Sequence, residues 1–499
     1  MKLLFVTLYF AVLLVLCSYG LHRAHLVWML WRHRKTIGTL KTKVISDASA
    51  PMVTIQLPLY NEATVVARLL EAAGQLDYPR EKLEIQVLDD STDETRIIAQ
   101  RKVDELCARG INAVYVRRPN RHGYKAGALD YGLKQAKGEF VAVFDADFVP
   151  QPEFLREVVG HFEDPGIGMV QTRWGHMNRD CSLLTGVQAL MLDGHHLVEN
   201  RARFGAGCFF NFSGTGGIWR RAAIDAAGGW EHDTLTEDLD LSYRAQLAGW
   251  RFVYRPDVIT PSELPEDMSA LRAQQFRWAK GTVQTARKLL PTIVRAPINR
   301  AQRIEAMFHM TPHFAYPLMV LLSVLLLPAL WLLPATDLRT MLVVDLPLCL
   351  GATGSLVTFY AAAERAQGRS IWGAISRMPA LIAFGAGLAP HLSKAVFEGV
   401  RGMAGEFVRT PKRGENRARY RQRAQWPIAE SMLAALSMMS VAVSIETNHW
   451  FATPFAALFA WGYAYVAVRV VSEQIQSRRD SLVPSEDSAS VETSQAMTI

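Results

Sequence analysis

The sequence predicts a Rossmann-like α/β domain set between helical membrane spans. Three observations carry that prediction. Between residues 44 and 303, short β-branched runs alternate with helical patterns. On both sides of that region lie apolar stretches near the ~20 residues a bilayer demands. Two clusters of acids stand directly after two of the β-type runs, at the edge where open α/β sheets bind ligands.

The first element is the apolar stretch 3–21, preceded only by Lys2 and without a small-residue cleavage site before His22. It reads as a retained span, not a removable signal. Arg23, Arg32, Arg34, Lys35, Lys41 and Lys43 follow it, with no acid before Asp47. Basic flanks of this kind mark the cytoplasmic side. The N-terminus is therefore expected outside and the α/β domain in the cytoplasm, which for a bacterial-type cell is the inner membrane face. Half of the 499 residues are hydrophobic and the net charge is +7. Because the cations cluster beside the apolar stretches, the charge points to lipid and not to nucleic acid. The five cysteines are scattered without a CxxC pair, which excludes a cysteine metal framework and agrees with a reducing compartment.

Within the α/β region the runs VTIQLP (53–58), EIQVL (84–88), AVYV (113–116) and FVAVF (140–144) read as strands of a mostly parallel sheet. Helices are expected at 62–76 and 93–109. DDSTD (89–93) follows the second strand and DAD (145–147) the fourth. Asp93 is read as a helix cap. Asp145 and Asp147, one residue apart at a strand end, can share a divalent cation that holds a diphosphate. Asp89 or Asp90 would face the base or ribose of a nucleotide. In RPNRHGYKAGAL (118–129), Gly123 and Gly127 bracket Lys125, so backbone and ammonium can approach a phosphate closely.

FSGTGGIWRR (212–221) reads as a second glycine-rich turn. The pair His195-His196 with Glu199 has helical metal-like spacing, but no third His or Cys ligand suggests itself, and a zinc site is not expected. Thr236-Glu237-Asp238 opens an amphipathic helix, where a first-turn carboxylate is rigidly held. QQFRWAKG (274–281) pairs an arginine fork with an indole ring near the membrane.

Beyond residue 304 apolar stretches are expected to cross at 312–333, 341–363, 427–445 and 450–471, giving five spans with 3–21. The stretch 371–400 contains Arg377, His391, Lys394, Glu398 and two prolines, and is expected to lie along the interface. Segment 401–425 carries eight Lys/Arg against Glu406 and Glu415, which keeps it cytoplasmic. The Ser-, Asp-, Glu- and Thr-rich residues 472–499 read as a disordered tail. The expected domains are thus 1–43 (first span and basic flank), 44–303 (α/β domain), 304–471 (spans and interfacial helices, with a loop at 401–426) and 472–499.

The succession DDS, DAD, TED and QxxRW, embedded between apolar spans, resembles the processive inverting family-2 glycosyltransferases, the group of cellulose, chitin and hyaluronan synthases. The wording QVLDDSTDETR, RPNRHGYKAGAL and TEDLDLSYRAQLAGWR is most similar to the cellulose-synthase-like glucomannan and xyloglucan-backbone synthases. The resemblance implies a GT-A type fold and a membrane channel. It implies a nucleotide-sugar donor, UDP-glucose or GDP-mannose, and a growing β-glycan that is exported, with accessory export subunits compatible.

Residue by residue, Asp89 and Asp90 would contact the nucleoside, and Asp145 and Asp147 would bind Mg2+ or Mn2+. Asp238 would be the general base, with Glu237 toward the acceptor. Gln274 and Arg277 would steady the diphosphate, and Trp278 would sit under the acceptor sugar. The segment Phe407-Val408-Arg409-Thr410-Pro411-Lys412 resembles the FxVTxK gating loop, with Arg409 in place of the family's valine. Thr410 and Lys412 would reach the diphosphate. FNFSGTGG replaces the cysteine-containing turn of cellulose synthases, which leaves the donor open between glucose and mannose. With only a short polar tail after residue 471, a cyclic-dinucleotide sensor domain is not expected. Two other classes compete: a single-transfer enzyme acting on ceramide or polyprenyl phosphate, and a transporter or scaffold with an inert α/β domain.

Overall fold

The structure is a computed structural model that describes residues 2–38, 45–333, 346–403, 405 and 425–480. The α/β domain is built on a seven-stranded sheet. Its strands are β1 (Val53–Leu59), β2 (Leu83–Asp89), β3 (Ala113–Val116), β4 (Phe140–Val143), β5 (Ile167–His176), β6 (Gly217–Arg220) and β7 (Arg251–Ser262). They are ordered β3-β2-β1-β4-β6-β5-β7. The first four pair in parallel, β5 pairs in parallel with β7, and β6 runs antiparallel to both β4 and β5. The four strands legible in the sequence are the parallel half. The turn reading of residues 212–221 is corrected in part, since Gly217–Arg220 is the antiparallel strand β6. Fully buried Trp219 anchors it.

Strands β1, β2 and β4 are buried along nearly their whole length, which is why they read as apolar runs and not as clean alternation. Their polar exceptions pair with each other. Thr54 donates to Glu84 at 2.7 Å and Gln56 donates to Gln86 at 3.1 Å, both between register partners. Buried polar groups demand such partners. One apolar cluster, with Leu57, Val66 and Phe154, fills one face of the sheet. Another, with Leu129, Trp219 and Phe252, fills the other.

The helices that matter below are α1 (Lys2–Arg32), α2 (Val66–Gly74), α3 (Thr95–Ala108), α4 (Tyr124–Leu133), α5 (Leu183–Gly194), α6 (Glu237–Leu247), α7 (Met268–Arg295), α8 (Arg300–Met310), α9 (Ala315–Leu332), α10 (Ser355–Ala366), α11 (Ile371–Arg401), α12 (Ile428–Glu446) and α13 (Thr453–Asp480). Among the described residues, five helices are long and apolar enough to cross a membrane: Lys2–Arg32, Pro312–Leu332, Ile371–Arg401, Ile428–Glu446 and Thr453–Gln476. The set differs in one member from the sequence expectation. Helix α11 is in it, whereas the expected span 341–363 is helical from Leu346 onward but begins outside the described residues. Helix α11 is largely enclosed by protein, and its charged residues have partners there. Glu398 pairs with Lys280 at 2.9 Å, and Lys394 reaches Gln425 at 3.3 Å. Helices α11 and α13 cross at Gly387 and Gly462, where a Cβ on either would collide with the backbone of the other helix.

Candidate active site

The sheet's carboxyl edge, the start of α6 and the second turn of α7 enclose one cavity of about 180 Å³. Asp90, Asp145 and Asp147 line it from the strand ends, and Lys125 lines it from α4. Glu237 and Asp238 contribute from α6, and Gln274, Arg277 and Trp278 from α7. Nine residues far apart in sequence thus meet where the fold leaves room for a ligand. Thr410 and Lys412 lie outside the described residues.

Asp89 is placed differently from its neighbour. It is buried, accepts from the Tyr115 hydroxyl at 2.6 Å and from the Ser91 N–H at 2.8 Å, and is not on the cavity wall. Successive strand residues point to opposite faces, so only Asp90 turns toward the cavity. Arg118 grips Asp90 with two bonds, at 2.8 and 2.5 Å, and also donates to the Tyr124 carbonyl. The turn that carries the first acids is braced as well. Asn61, at a positive φ of 56°, donates its N–H to Ser91 at 2.8 Å and accepts from the Thr92 N–H at 2.8 Å. Arg118, Tyr60 and Arg121 escaped the sequence reading. Arg121 lies 3.3 Å above the Tyr60 ring, and both line the cavity. Their signal was present as YNE after the first strand and as the arginines of RPNRHGY.

Helix α4 begins after Gly123, whose φ of +71° is a left-handed conformation that favours glycine. That start aims Lys125 into the cavity. Its ammonium lies 2.5 Å from Asp145 and 3.9 Å from Glu237, and donates to the Gly214 carbonyl at 2.9 Å. Burial pulls the Lys125 pKa down, but the charges of Asp145 and Glu237 outweigh it and hold the group above its ordinary value. Gly214, at φ +81°, passes so close to Asp238 that a Cβ there would stand 3.0 Å from its carboxylate.

Burial raises the Asp238 carboxyl to about 7; the neighbouring Glu237 charge adds to this, and Lys125 opposes it. Glu237 is also raised, by burial first, against the pull of Lys125. Burial lowers Arg277, while Glu237, Asp145, Asp238 and Asp147 pull it back up. Four carboxylates therefore surround two cations, Lys125 and Arg277. A divalent cation suits such an excess, and Asp145 with Asp147 are the pair with oxygen donors for it.

The histidine pair is structural. His196 is fully buried and meets the Tyr254 hydroxyl at 3.1 Å. His195 pairs with Glu199 at 3.1 Å, and Glu199 with Arg203 at 3.2 Å. A second acidic group, Glu231, Asp233 and Asp240, has metal-like spacing. The Lys288 ammonium already sits among these three, at 2.5, 2.8 and 3.0 Å.

Fold and site together define a GT-A type glycosyltransferase domain joined to apolar helices. Residues 50–281 match the model of the glycosyltransferase like family 2. Glucomannan 4-beta-mannosyltransferase 2 of Arabidopsis thaliana is 44% identical over 256 residues, covering 50% of this chain and 48% of that one. Glucomannan 4-beta-mannosyltransferase 1 of Cyamopsis tetragonoloba is 37% identical over 317 residues, covering 62% of this chain and 60% of that one. The chain thus spans about half the length of the curated relatives it matches. Among solved structures, a mannosyltransferase from Pyrobaculum calidifontis shares the fold at a TM-score of 0.51 and 24% identity, covering 73% of this chain and 99% of that one.

Proposed function

We propose that the protein is a membrane-embedded β-glycan synthase that transfers mannosyl units, with glucosyl as the second sugar, from a nucleotide-sugar to a growing chain with inversion. The observation that carries this reading is a carboxyl, Asp238, held at about 7 in the cavity that also holds Asp145, Asp147, Lys125, Arg277 and Trp278. A base whose pKa lies near the working pH is effective at removing a proton in the transition state. In the reaction Asp238 takes the proton of the acceptor hydroxyl. That oxygen forms its bond to the anomeric carbon as the bond to the diphosphate oxygen breaks on the opposite face.

Lys125, Arg277 and Gln274 stabilise the departing diphosphate, Asp90 turns toward the nucleoside, and Trp278, with Glu237 beside the base, receives the acceptor sugar. Asp145 and Asp147 would hold Mg2+ or Mn2+, which when bound neutralises charge on the leaving group. GDP-mannose is the donor we favour, because the curated relatives compared above bear the name glucomannan 4-beta-mannosyltransferase. The Pyrobaculum calidifontis enzyme was solved with GDP-Man and Mn2+. Residues 44–303 form the transfer domain on the cytoplasmic face of the plasma membrane, and residues 304–471 form the path for export.

The test is the full chain in nanodiscs, given radiolabelled GDP-mannose, UDP-glucose or UDP-N-acetylglucosamine, with Mn2+ or chelator. The expected result is metal-dependent use of GDP-mannose and a long product cut by a β-mannanase. A product of one sugar on a lipid, or no donor consumed, overturns the reading.

A further inference from the structure

Helix α7 carries Gln274, Arg277 and Trp278, yet three carboxylates from outside the α/β domain hold it. Its N-terminal N–H groups have no acceptor within the helix, and the side chain of its own cap residue, Asp267, makes no capping bond. Glu473, on α13, supplies the acceptors instead. Its carboxylate receives the Met268 N–H at 2.8 Å, the Ser269 N–H at 2.9 Å and the Ser269 hydroxyl at 2.7 Å. A negative charge at this end is favoured by the helix dipole. One turn on, Arg272 donates to Glu430 of α12 at 2.8 Å, with side chains only 6% and 3% exposed. Further along, Lys280 pairs with Glu398 of α11 at 2.9 Å.

The three acids come from three different apolar helices. Carboxylates in such helices are costly unless they are paired and used, and each of these finds its partner on α7. The anchored positions, from 268 to 280, bracket the QxxRW residues over about 18 Å of helix. Sliding or rotating α7 against the apolar helices would break all three contacts together.

We propose that Glu473, Glu430 and Glu398 are positioning residues: a three-point clamp by which the last three apolar helices fix the height and rotation of α7, and so the seat of the acceptor sugar over Trp278. The proposal rests on the reading of Trp278 as the acceptor's platform. Its chemical consequence is a choice between nucleophiles. When the acceptor hydroxyl is held opposite the anomeric carbon, Asp238 deprotonates it. When that seat is displaced, water takes the place of the sugar hydroxyl and the donor is hydrolysed. Donor binding is made mainly by the strand ends and Lys125, with Gln274 and Arg277 of α7 acting on the leaving diphosphate, so it depends on the clamp less than the acceptor's seat does.

The experiment uses the full chain in nanodiscs with GDP-mannose and a β-1,4-mannose oligosaccharide as acceptor. For Glu473→Ala the GDP dissociation constant stays within about twofold of wild type, while acceptor KM rises by about tenfold and the transfer-to-hydrolysis ratio falls by a similar factor. Glu473→Gln keeps oxygen and reach, and recovers most of that ratio. The Arg272→Met/Glu430→Met double variant removes both buried charges together, so it retains the fold. It is nevertheless expected to keep the lowered transfer ratio.

Hydrogen exchange over residues 268–272 reads the clamp without any turnover. Protection there is expected to drop in Glu473→Ala. Unchanged protection, or a wild-type transfer ratio in Glu473→Ala, overturns the proposal. So does a parallel loss of nucleotide binding and transfer, which marks simple unfolding. Absence of donor turnover in the wild type would instead sink the functional reading, with the exchange result still deciding the clamp.

Discussion

The α/β domain and the apolar helices solve the same problem, the burial of polar groups, in different ways. In the sheet, polar side chains sit in the core and pair with register neighbours, as Gln56 does with Gln86 and Thr54 with Glu84. In the helical region, backbones approach at glycines, as α11 and α13 do at Gly387 and Gly462. The acids there reach out to α7. The sheet therefore keeps unpaid electrostatic strain for one place, the cavity at its edge, where Glu237 and Asp238 are held side by side as buried carboxyls. The acids that the apolar helices turn toward α7 are paired, and these helices act as a frame.

The sharpest break in that comparison is Asp238→Asn. Loss of the proposed general base is expected to lower turnover by about 10³-fold with donor binding retained. The same change relieves strain. A carboxyl held at about 7 in the fold and ionised from its ordinary 3.8 when unfolded opposes folding as pH rises between those values, and in full above them. The Asn variant is therefore expected to melt higher than wild type at pH 8, by about 2–4 °C, in a thermal unfolding scan. An unchanged or lower midpoint would mean the cavity is not strained.

Next in size is the frame. Gly462→Leu puts a side chain where the Ala383 carbonyl already lies, and such overpacking costs about 1–3 kcal/mol. Loss of folded protein on a sizing column is expected, with the remaining folded fraction binding GDP normally. The sheet's ladder is a smaller test. Gln56→Leu or Gln86→Leu alone leaves a buried amide short of a partner, at about 1–3 kcal/mol, whereas the double change is close to neutral. Additive losses in denaturant unfolding would show that the two amides are not coupled.

The parallel half of this molecule was legible because strands buried on both faces are short β-branched runs. The other half was not. Strand β6 is four residues that begin on the last of three glycines, Gly214, Gly216 and Gly217, and β7 is interrupted by Arg255, Pro256 and Asp257. At the site, motif acids and QxxRW were readable, since each is a local pattern. Arg118 was not, because its role comes from reaching Asp90, 28 residues away. Asp89 and Asp90 are alike in sequence. Only the alternation at a strand end, together with Tyr115 behind it, turns one inward and the other toward the cavity. The clamp on α7 joins residues 118 to 205 positions apart and leaves no local mark.

The smallest effect expected is also the one that most directly measures the difference between the two regions. Asp238 owes its position near 7 first to burial and then to its neighbours. In metal-free, donor-free protein, an infrared titration of the carboxyl band that disappears in Asp238→Asn should have its midpoint at about 7. Glu237→Gln removes a negative neighbour, so ionising Asp238 becomes easier and the midpoint moves down. Lys125→Met removes the cation that favours the ionised form, so the midpoint moves up. Burial is the larger cause and is unchanged by either substitution, so neither variant should return Asp238 to its ordinary 3.8. A midpoint that falls all the way to that value in Glu237→Gln would assign the strain to one pair of charges and not to the desolvated cavity. Glu398→Gln, in the frame, leaves the midpoint where it was if the strain is confined to the sheet's edge.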